Sequence, residues 1–443
     1  MKKNDIYEIE ITGITDDGNG VGRAGQMAVF VPYALIGEKV RVIIIKVLKN
    51  YAVAKLLDVI RPSEHRMKAE CEYFYKCGGC QFWNVDYETE LKYKRQKVED
   101  CLKRIGGIDI DVPDVIGDDK CRNYRNKGQF PVGADGIGIY AYHSHRIIDI
   151  HQCIIQGEEN PDVLKCIRDW MREYSVPAYD EESNTGVVRH IYTRTGDSGV
   201  LVCIVTRTKE LPHSAELVER LCEEVKNVSG VLQNVNRNRT NVVLGNEFKT
   251  LWGKDYIIDS IGDFKFKISP LSFYQVNNEQ TKKLYDIAKE FAQLSGEETI
   301  WDVYCGIGTI GQYLSKDVKK IVGIEVVEQA VENAKENAKL NKLNNAEYFC
   351  GEAEKIAPRL VKKQKPDVVI LDPPRKGCEE ELLKAVAETK AKKIVYISCK
   401  PSTLARDLKI MKTLGYTTEK VQPVDLFPRT AHVECCVLLC QTE

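Results

Sequence analysis

The sequence predicts an α/β protein in which a small all-β unit and a mixed central part precede a doubly wound parallel sheet. Residues 266–443 indicate the sheet, because short apolar runs alternate there with stretches of helical periodicity. Residues 1–60 contain short strand-like segments separated by glycine-rich turns, which favours an OB-like β-barrel. Residues 61–265 form an α+β part that begins with closely spaced cysteines. We therefore expect three domains with these boundaries.

The composition of the 443-residue chain is that of an ordinary globular protein, with 43% hydrophobic and 29% charged residues. No apolar run approaches the roughly 18 residues of a membrane span. The N-terminus also lacks the apolar core of a signal peptide. These features predict a cytoplasmic protein with no membrane partner. A net charge of −1 argues against nucleic-acid binding through overall positive charge, so any such contact should be local.

One local candidate is the segment KCRNYRNK, residues 120–127, which contains four cationic side chains, one tyrosine and no acid. Such a composition suits phosphate contacts combined with stacking of a base on the ring. A solvated basic loop is the alternative interpretation of the same residues.

Glycines follow the first strand of the predicted parallel sheet. Residues 300–303 run into YCGIGTIG, in which Gly306 and Gly308 let a ligand approach the backbone, and Glu325 ends the next strand. A carboxylate at that position can accept hydrogen bonds from two ribose hydroxyls. The letters GIGTIG fit the dinucleotide fingerprint, but enzymes that use S-adenosylmethionine (SAM) have the same strand, turn and acid. The loop alone leaves an NAD-linked oxidoreductase and a SAM-dependent enzyme both open.

The ends of two later strands separate these alternatives. One strand ends at Asp372 in DPPR, and another ends at Cys399 in SCKP. Because the carboxyl ends of parallel strands share one edge of a sheet, Asp302, Glu325, Asp372 and Cys399 should lie together there. An NAD enzyme has no evident use for a thiol at that edge, whereas a methyltransferase acting on a pyrimidine does.

Methylation of uracil at C5 needs three groups, because C5 becomes nucleophilic only after a thiolate adds to C6. Cys399 fits the nucleophile, and the neighbouring Lys400 is a candidate cause of a lowered thiol pKa. Asp372 fits the group that polarises the uracil. If the final strand is antiparallel, His432 and Glu434 face the same site, and Glu434 fits the base that removes the C5 proton.

Five segments resemble those of the SAM-dependent RNA 5-methyluridine methyltransferases, in the same order: SPLSFYQVN, DVYCGIG, DPPRKG, YISCKPSTLARDL and DLFPRTAHVE. The resemblance implies a Rossmann-like class I methyltransferase sheet, and residues 1–60 resemble the family's TRAM domain, an RNA-binding barrel. It further implies that Cys399 is the nucleophile, that Glu434 takes the C5 proton and that Phe273 stacks on a base. With the glycine loop, the residues expected around SAM or the uracil are Gln275, Tyr304, Gly306, Gly308, Glu325 and Asp372.

Two residues depart from the family pattern. Lys400 follows the nucleophile where Asn is common, and Glu352 stands where Asp is common in the adenine-contacting loop. In the family, the helical segment near residues 84–115 packs on the catalytic domain, so the domain boundary is expected to interleave there.

Three of the sixteen cysteines, Cys71, Cys77 and Cys80, lie within ten residues. Zinc and a cubane iron–sulfur cluster each need four ligands, so this spacing leaves both open. The C-x5-C-x2-C pattern differs from the C-x3-C-x2-C of radical-SAM enzymes, which argues against that class. The ribosomal-RNA branch of the resembled family has a 4Fe-4S cluster at this spacing, completed by a distant cysteine that Cys153 matches. The resemblance thus implies a 4Fe-4S cluster, which we expect to be structural.

The transfer-RNA branch of the family usually lacks both the TRAM domain and the cluster. The sequence therefore predicts a SAM-dependent uracil-C5 methyltransferase of 23S ribosomal RNA, acting as a monomer. Three alternatives stay open. They are the same reaction on the T-loop uridine of transfer RNA, an NAD-linked iron–sulfur oxidoreductase, and a non-catalytic RNA-binding protein with a zinc knot.

Overall fold

In the computed structural model, which describes residues 1–442, the first five strands form a closed barrel in the order β1-β2-β3-β5-β4. These strands are β1 (Ile6–Ile14), β2 (Gly20–Ala24), β3 (Met27–Val31), β4 (Lys39–Val47) and β5 (Tyr51–Arg61). Inward-facing side chains such as Val29, Val40 and Val42 are fully buried and form the barrel's own core. The predicted β-barrel is confirmed.

The helix α1 (Tyr87–Cys101) precedes the central sheet in the chain but packs against the C-terminal domain. Val98 joins the core on one side of the C-terminal sheet. Lys94 Nζ lies 2.7 Å from Glu90 Oε1 and 2.8 Å from Asp425 Oδ1, and all three side chains are buried. Since each charge in this cluster has an opposite charge beside it, a highly charged helix can pack inside the protein.

The central part of the chain forms a seven-stranded sheet in the order β12-β11-β10-β9-β6-β7-β8. Its strands are β6 (Lys127–Gly133), β7 (Gly136–Tyr140), β8 (Ile147–Asp149), β9 (Val188–Gly196), β10 (Gly199–Thr206), β11 (Val228–Val235) and β12 (Glu247–Gly253). The helices α2 (Asn160–Glu173) and α3 (Ser214–Glu224) cover one face. The hairpin of β13 (Ile257–Ile261) and β14 (Phe264–Ile268) packs on the other face.

The C-terminal sheet has seven strands in the order β17-β16-β15-β18-β19-β21-β20. They are β15 (Thr299–Val303), β16 (Lys320–Glu325), β17 (Ala346–Cys350), β18 (Val368–Leu371), β19 (Lys393–Ser398), β20 (Tyr416–Val424) and β21 (Glu434–Gln441). The strands β15 to β19 are parallel, whereas β21 is antiparallel to both of its neighbours. Every residue of β18 is buried, as expected for a parallel strand covered on both faces.

Six helices complete this domain and confirm the predicted doubly wound arrangement. They are α4 (Asn278–Ala292), α5 (Thr309–Tyr313), α6 (Glu328–Leu340), α7 (Ala353–Leu360), α8 (Glu380–Glu388) and α9 (Pro401–Thr413). The helices α4 and α5 pack on one face of the sheet, and α7, α8 and α9 pack on the other. Across residues 1–442, no helix has both the length and the apolar character needed to cross a membrane.

The cysteine-containing segment lies where the barrel meets the rest of the molecule. The Tyr33 ring of the barrel stands edge-on to the Phe74 ring, with 5.0 Å between their centroids. Arg66 Nη2 donates to the Tyr33 carbonyl oxygen at 2.7 Å and also binds the buried Glu38 carboxylate. The barrel is therefore attached through the same stretch of chain that contains the clustered cysteines.

Candidate active site

A cavity of about 720 Å³ opens at the carboxyl edge of the parallel strands β15, β16, β18 and β19. The sequence-predicted residues that line it are Phe273, Gln275, Tyr304, Gly306, Glu325, Asp372, Cys399, His432 and Glu434. The final strand contributes because it is antiparallel, pairing Cys435 with Ser398, so that its first residue lies beside the end of β19. The structure thus brings the predicted thiol, carboxyl groups and glycine loop onto one wall.

The loop after β15 is shaped by positive backbone torsions, with φ of 66° at Tyr304 and 54° at Gly306. Glu325 Oε2 accepts the Gly306 N–H at 3.1 Å, and its Oε1 accepts the Val327 N–H at 3.0 Å. These two bonds fix the Glu325 carboxylate at the cavity wall. Each oxygen keeps a further lone pair that can accept from a hydroxyl group.

Two residues expected at this edge do not line the cavity. Gly308, with φ of 84°, is absent from the cavity wall, and a Cβ there would come within 2.6 Å of Gln312 Nε2. Asp302 lies beneath the loop, where its Oδ2 accepts the Gly311 N–H at 2.8 Å. Asp302 is close enough to Asp372 to add to the rise of its pKa, but its side chain holds the start of the next helix and does not line the cavity.

Burial dominates the electrostatics of two acids in this cavity, Glu434 and Asp372. It raises the pKa of Glu434 to about 8, with a further rise from Asp372 and an opposing effect from Arg375. It also raises the pKa of Asp372 to about 7, and Asp302 adds to that rise. The two carboxyl groups therefore change their protonation near neutral pH, where a proton can be passed between them and a ligand.

Burial also raises the pKa of the Cys399 thiol to about 11, and the Glu434 and Asp372 carboxylates add to the rise. Arg375 is the cation that opposes it. The expectation that Lys400 lowers the pKa of this thiol is wrong, since burial dominates, the nearby acids add to the rise, and the cation that opposes it is Arg375 rather than Lys400 at the N-cap of α9. The resting thiol is protonated, so an attack by its sulfur requires a proton acceptor.

Several residues of the cavity wall were not predicted from the sequence to lie at this site, among them Arg125, Lys127, Arg375 and Phe427. Arg125 and Lys127 belong to the basic segment, but no pattern in the chain indicates that the start of β6 lies beside the glycine loop. Arg375 occurs in DPPRKG, directly after two prolines that follow a strand end. A cationic residue so close in sequence to Asp372 was the feature that could have identified Arg375 as a site residue.

The four cysteines predicted as ligands line a second cavity of about 330 Å³: Cys71, Cys77, Cys80 and Cys153. Burial raises the pKa of Cys77 to about 11, and Cys153 and Cys71 add to this rise. The Gly79 N–H donates to Cys77 Sγ at 3.3 Å, and no carboxylate among residues 1–442 lines the cavity. In the described part of the chain, however, no three His, Cys, Asp or Glu side chains are grouped closely enough to hold a metal ion as they stand.

Comparison with known proteins gives consistent matches. Residues 215–442 match the family model described as tRNA (Uracil-5-)-methyltransferase, and residues 2–57 match the TRAM domain. A protein of Clostridium tetani described as an uncharacterized RNA methyltransferase is 48% identical over 99% of this chain and 97% of its own length. A similarly described protein of Halalkalibacterium halodurans is 45% identical over 99% of this chain and 98% of its own.

A solved structure matches over nearly the whole chain. The Pyrococcus abyssi tRNA (uracil-54, C5)-methyltransferase in complex with S-adenosyl-L-homocysteine is 29% identical, with a TM-score of 0.81, and covers 98% of this chain and 99% of its own.

The matches agree on cofactor and reaction. The glycine loop belongs to a SAM-dependent enzyme rather than to the NAD-linked oxidoreductase that its letters left open. The chain therefore belongs to the tRNA (uracil-5-)-methyltransferase family, as a TRAM-containing, SAM-dependent enzyme that methylates C5 of uracil in RNA.

Proposed function

We propose that Cys399 is the nucleophile of this reaction and that Glu434 is the base that removes the C5 proton. One observation supports both roles. Cys399, Asp372 and Glu434 lie on the wall of one cavity, at the strand edge where the glycine loop ends.

We assign SAM to the part of the cavity formed by Tyr304, Gly306 and Glu325, together with Gln275. SAM supplies the methyl group as a cation equivalent when it is bound. The free lone pairs of Glu325 suit ribose hydroxyls, and the space beside Gly306 is open where a Cβ would stand. Gly308 acts from behind the loop, because a larger residue there would displace it.

In the first step, the Cys399 sulfur bonds to C6 of uracil, and its proton passes to the Asp372 carboxylate. The protonated Asp372 then donates to a uracil carbonyl oxygen and stabilises the negative charge that develops on it. The Phe273 ring, 66% exposed at the cavity, is available to stack on the base.

After methyl transfer, C5 carries both a methyl group and a hydrogen. Ionised Glu434 removes that hydrogen as a proton, and the C5–H electron pair restores the C5–C6 double bond. The C6–S bond breaks at the same time, and the Cys399 thiolate recovers its proton from Asp372. The products are 5-methyluridine, S-adenosyl-L-homocysteine (what SAM becomes when the bond between its sulfur and the methyl group breaks) and the enzyme, with one proton left on Glu434.

The reaction is tested by incubating the purified protein with methyl-labelled SAM and RNA, followed by digestion to nucleosides. Label in 5-methyluridine is the expected result. Label at another position of the base, or no transfer to any RNA, would overturn the proposal.

For the RNA itself we propose 23S ribosomal RNA. The support is the C-x5-C-x2-C run completed by Cys153, which resembles the ribosomal-RNA branch of the family. The T-loop uridine of transfer RNA is the second candidate, favoured by the similarity to the Pyrococcus enzyme. Labelling of 23S ribosomal RNA and of transfer RNA, each purified from a strain that lacks this protein, distinguishes the two.

We also propose that Cys71, Cys77, Cys80 and Cys153 hold a 4Fe-4S cluster. The all-thiol donor set and the absence of carboxylates from the cavity wall fit such a group. Trp83 Nε1, buried without an acceptor in residues 1–442, is a further donor available to a sulfur atom. Stoichiometric iron and acid-labile sulfide are expected, whereas zinc without iron would contradict the cluster.

This cluster would join the segment next to the barrel to the central sheet, which is a structural role. We accordingly divide the chain into an RNA-binding barrel (1–60), a cluster-bearing central domain (61–265) and a catalytic domain (266–443). Packing of α1 against the catalytic core supports an interleaved boundary near residues 84–115.

A further inference from the structure

Five residues line both the active-site cavity and the cysteine cavity, and we call this shared wall the neck: Arg125, Lys127, Arg375, Phe427 and His432. Three of them are cationic, and none is acidic. Burial lowers the pKa of His432 to about 4, with Arg375 adding to the shift, so the imidazole is neutral at pH 7. The neck is therefore a passage of positive charge beside the place proposed for the uracil.

The basic segment divides into paired and unpaired cations. The paired ones are Lys120, 3.5 Å from Glu279, and Arg122, which contacts Glu70. Arg125 and Lys127 have no ion-pair partner in residues 1–442, although both are partly buried. The half of the segment that reaches the neck is thus the half whose charge is not neutralised.

The unpaired charge is arranged at a cost to stability. Lys127 on β6 lies directly opposite Arg194 on β9, and like charges at such positions repel. Burial lowers the pKa of Lys127 to about 8, and Arg194 and Arg125 add to the shift. Arg194 is fully buried, and its Nη2 donates to the Tyr274 carbonyl at 3.1 Å, while its Nε and Nη1 find no acceptor among the described residues. An anion at the neck would remove this repulsion.

The tyrosine of the basic segment is not free to stack on a base, although the composition of the segment suggested that it would be. The Tyr124 ring packs beside Phe74 and Trp83, and its hydroxyl donates to the Pro428 carbonyl at 2.9 Å. The remaining function of the segment is its charge. The RNA strand supplies one phosphate for each nucleotide, so a phosphate adjoining the target uridine is the anion of the substrate that lies nearest to the neck.

We propose that Lys127 and Arg125 bind the phosphodiester next to the target uridine, at the neck. This proposal rests on the proposed function of the adjoining cavity. Such a contact fixes the position of the strand without reading its sequence, because phosphates are the same at every nucleotide. Arg194 acts as a positioning residue, since it holds the Tyr274 backbone behind the same wall.

The test compares the purified holoenzyme with its Lys127→Gln, Lys127→Arg and Arg125→Gln variants. Lys165→Gln serves as the charge-matched control, because Lys165 is exposed on α2 and paired with Asp169 at 3.2 Å. We expect KM for RNA to rise about tenfold in Lys127→Gln and Arg125→Gln, and the salt dependence of RNA binding to lose about one charge. Lys127→Arg should keep most of the affinity. SAM affinity and iron content should equal those of the wild type.

Other results would overturn the proposal. Loss of iron with unchanged RNA affinity would make the cations counter-charges of the cysteine-bound group. A weakened affinity for SAM alone would assign them to its carboxylate. A lower melting temperature of the Lys127 and Arg125 variants, with unchanged KM and salt dependence, would mean that these two residues stabilise the fold and do not bind RNA. Failure of the proposed function is distinct from all of these, because the wild type itself would then form no 5-methyluridine.

Discussion

Two neighbouring cavities of this protein contain cysteines, and their surroundings differ in the groups that can take up a proton. Cys399 shares its cavity with the buried carboxyl groups of Asp372 and Glu434. In the described part of the chain, the cavity of Cys77 and its three companion thiols contains no carboxylate. Burial raises the pKa of Cys399 and of Cys77 alike to about 11, so the pKa does not distinguish them.

The available partner distinguishes them instead. A thiol beside carboxylates can pass its proton to them and attack an electrophile. Four thiols beside one another can lose their protons together only when a positively charged metal core replaces those protons. The reactivity of a buried cysteine in this protein therefore depends on the groups beside it rather than on how deeply it is buried.

The largest expected effect on methyl transfer comes from removing the thiol of Cys399, which is compared with the removal of one thiol from the second cavity. Cys399→Ala should lower methyl transfer by more than about 10⁴-fold, because no other thiol lines that cavity. Its affinity for SAM and its iron content should be those of the wild type. The Cys77→Ser variant, which removes one thiol from the second cavity, should lose its iron. Its methyl transfer should fall only as far as the fold is destabilised. Activity is measured with labelled SAM, and iron is measured on the same samples.

The distinction between the cavities would fail in two ways. Full activity of Cys399→Ala would remove the nucleophile from the proposed mechanism. Retention of all iron by Cys77→Ser, together with a normal melting temperature, would remove Cys77 from the ligand set.

The next effect concerns the base. Glu434→Gln should lower the rate of product formation by about 10²- to 10⁴-fold, because proton removal from C5 precedes elimination. The enzyme should then accumulate as a covalent complex with RNA that survives a denaturing gel. An Asp372→Asn variant is the comparison, since it impairs the first addition and should give little of that complex. Absence of a trapped complex from both variants would count against Glu434 as the base.

The parallel sheet and the barrel could be predicted because each depends on local periodicity and strand order. The antiparallel direction of the last strand entered only as a condition, since its sequence pattern does not fix its direction. The glycine loop, Glu325, Asp372 and Cys399 could be located because strand ends meet at one sheet edge. Pairing of the start of β6 with β9 could not be predicted, so Lys127 was missed as a wall residue. The sign of the pKa shift at Cys399 was also missed, because it depends on burial and on acids distant in the chain.

A change of pH is expected to have a smaller effect on kcat/KM than these substitutions. Glu434 accepts a proton only when ionised, and its pKa is raised to about 8, so kcat/KM should rise up to about tenfold per pH unit between pH 6 and 8. The sign for stability is opposite. Because the pKa of Glu434 in the folded state lies above the ordinary 4.5, the contribution of this carboxyl group to the free energy of unfolding is fully present below pH 4.5. That contribution is lost as the pH rises through the folded-state pKa of about 8. At pH 9, Glu434→Gln should therefore melt at a higher temperature than the wild type. Equal melting temperatures across this range would contradict the raised pKa.

The smallest effect should come from Lys400, the residue that follows the proposed nucleophile in the chain. Lys400→Asn should change kcat/KM by less than about twofold and leave its pH profile in place, since Lys400 does not line the cavity and is not among the groups that shift the pKa of Cys399. Arg375 is distant in the chain but opposes the raised pKa of both Cys399 and Glu434. Arg375→Gln should therefore move the acidic limb of kcat/KM to higher pH. The reverse outcome, a shift for Lys400→Asn and none for Arg375→Gln, would mean that the adjacent lysine and not the folded cavity sets the reactivity of the thiol.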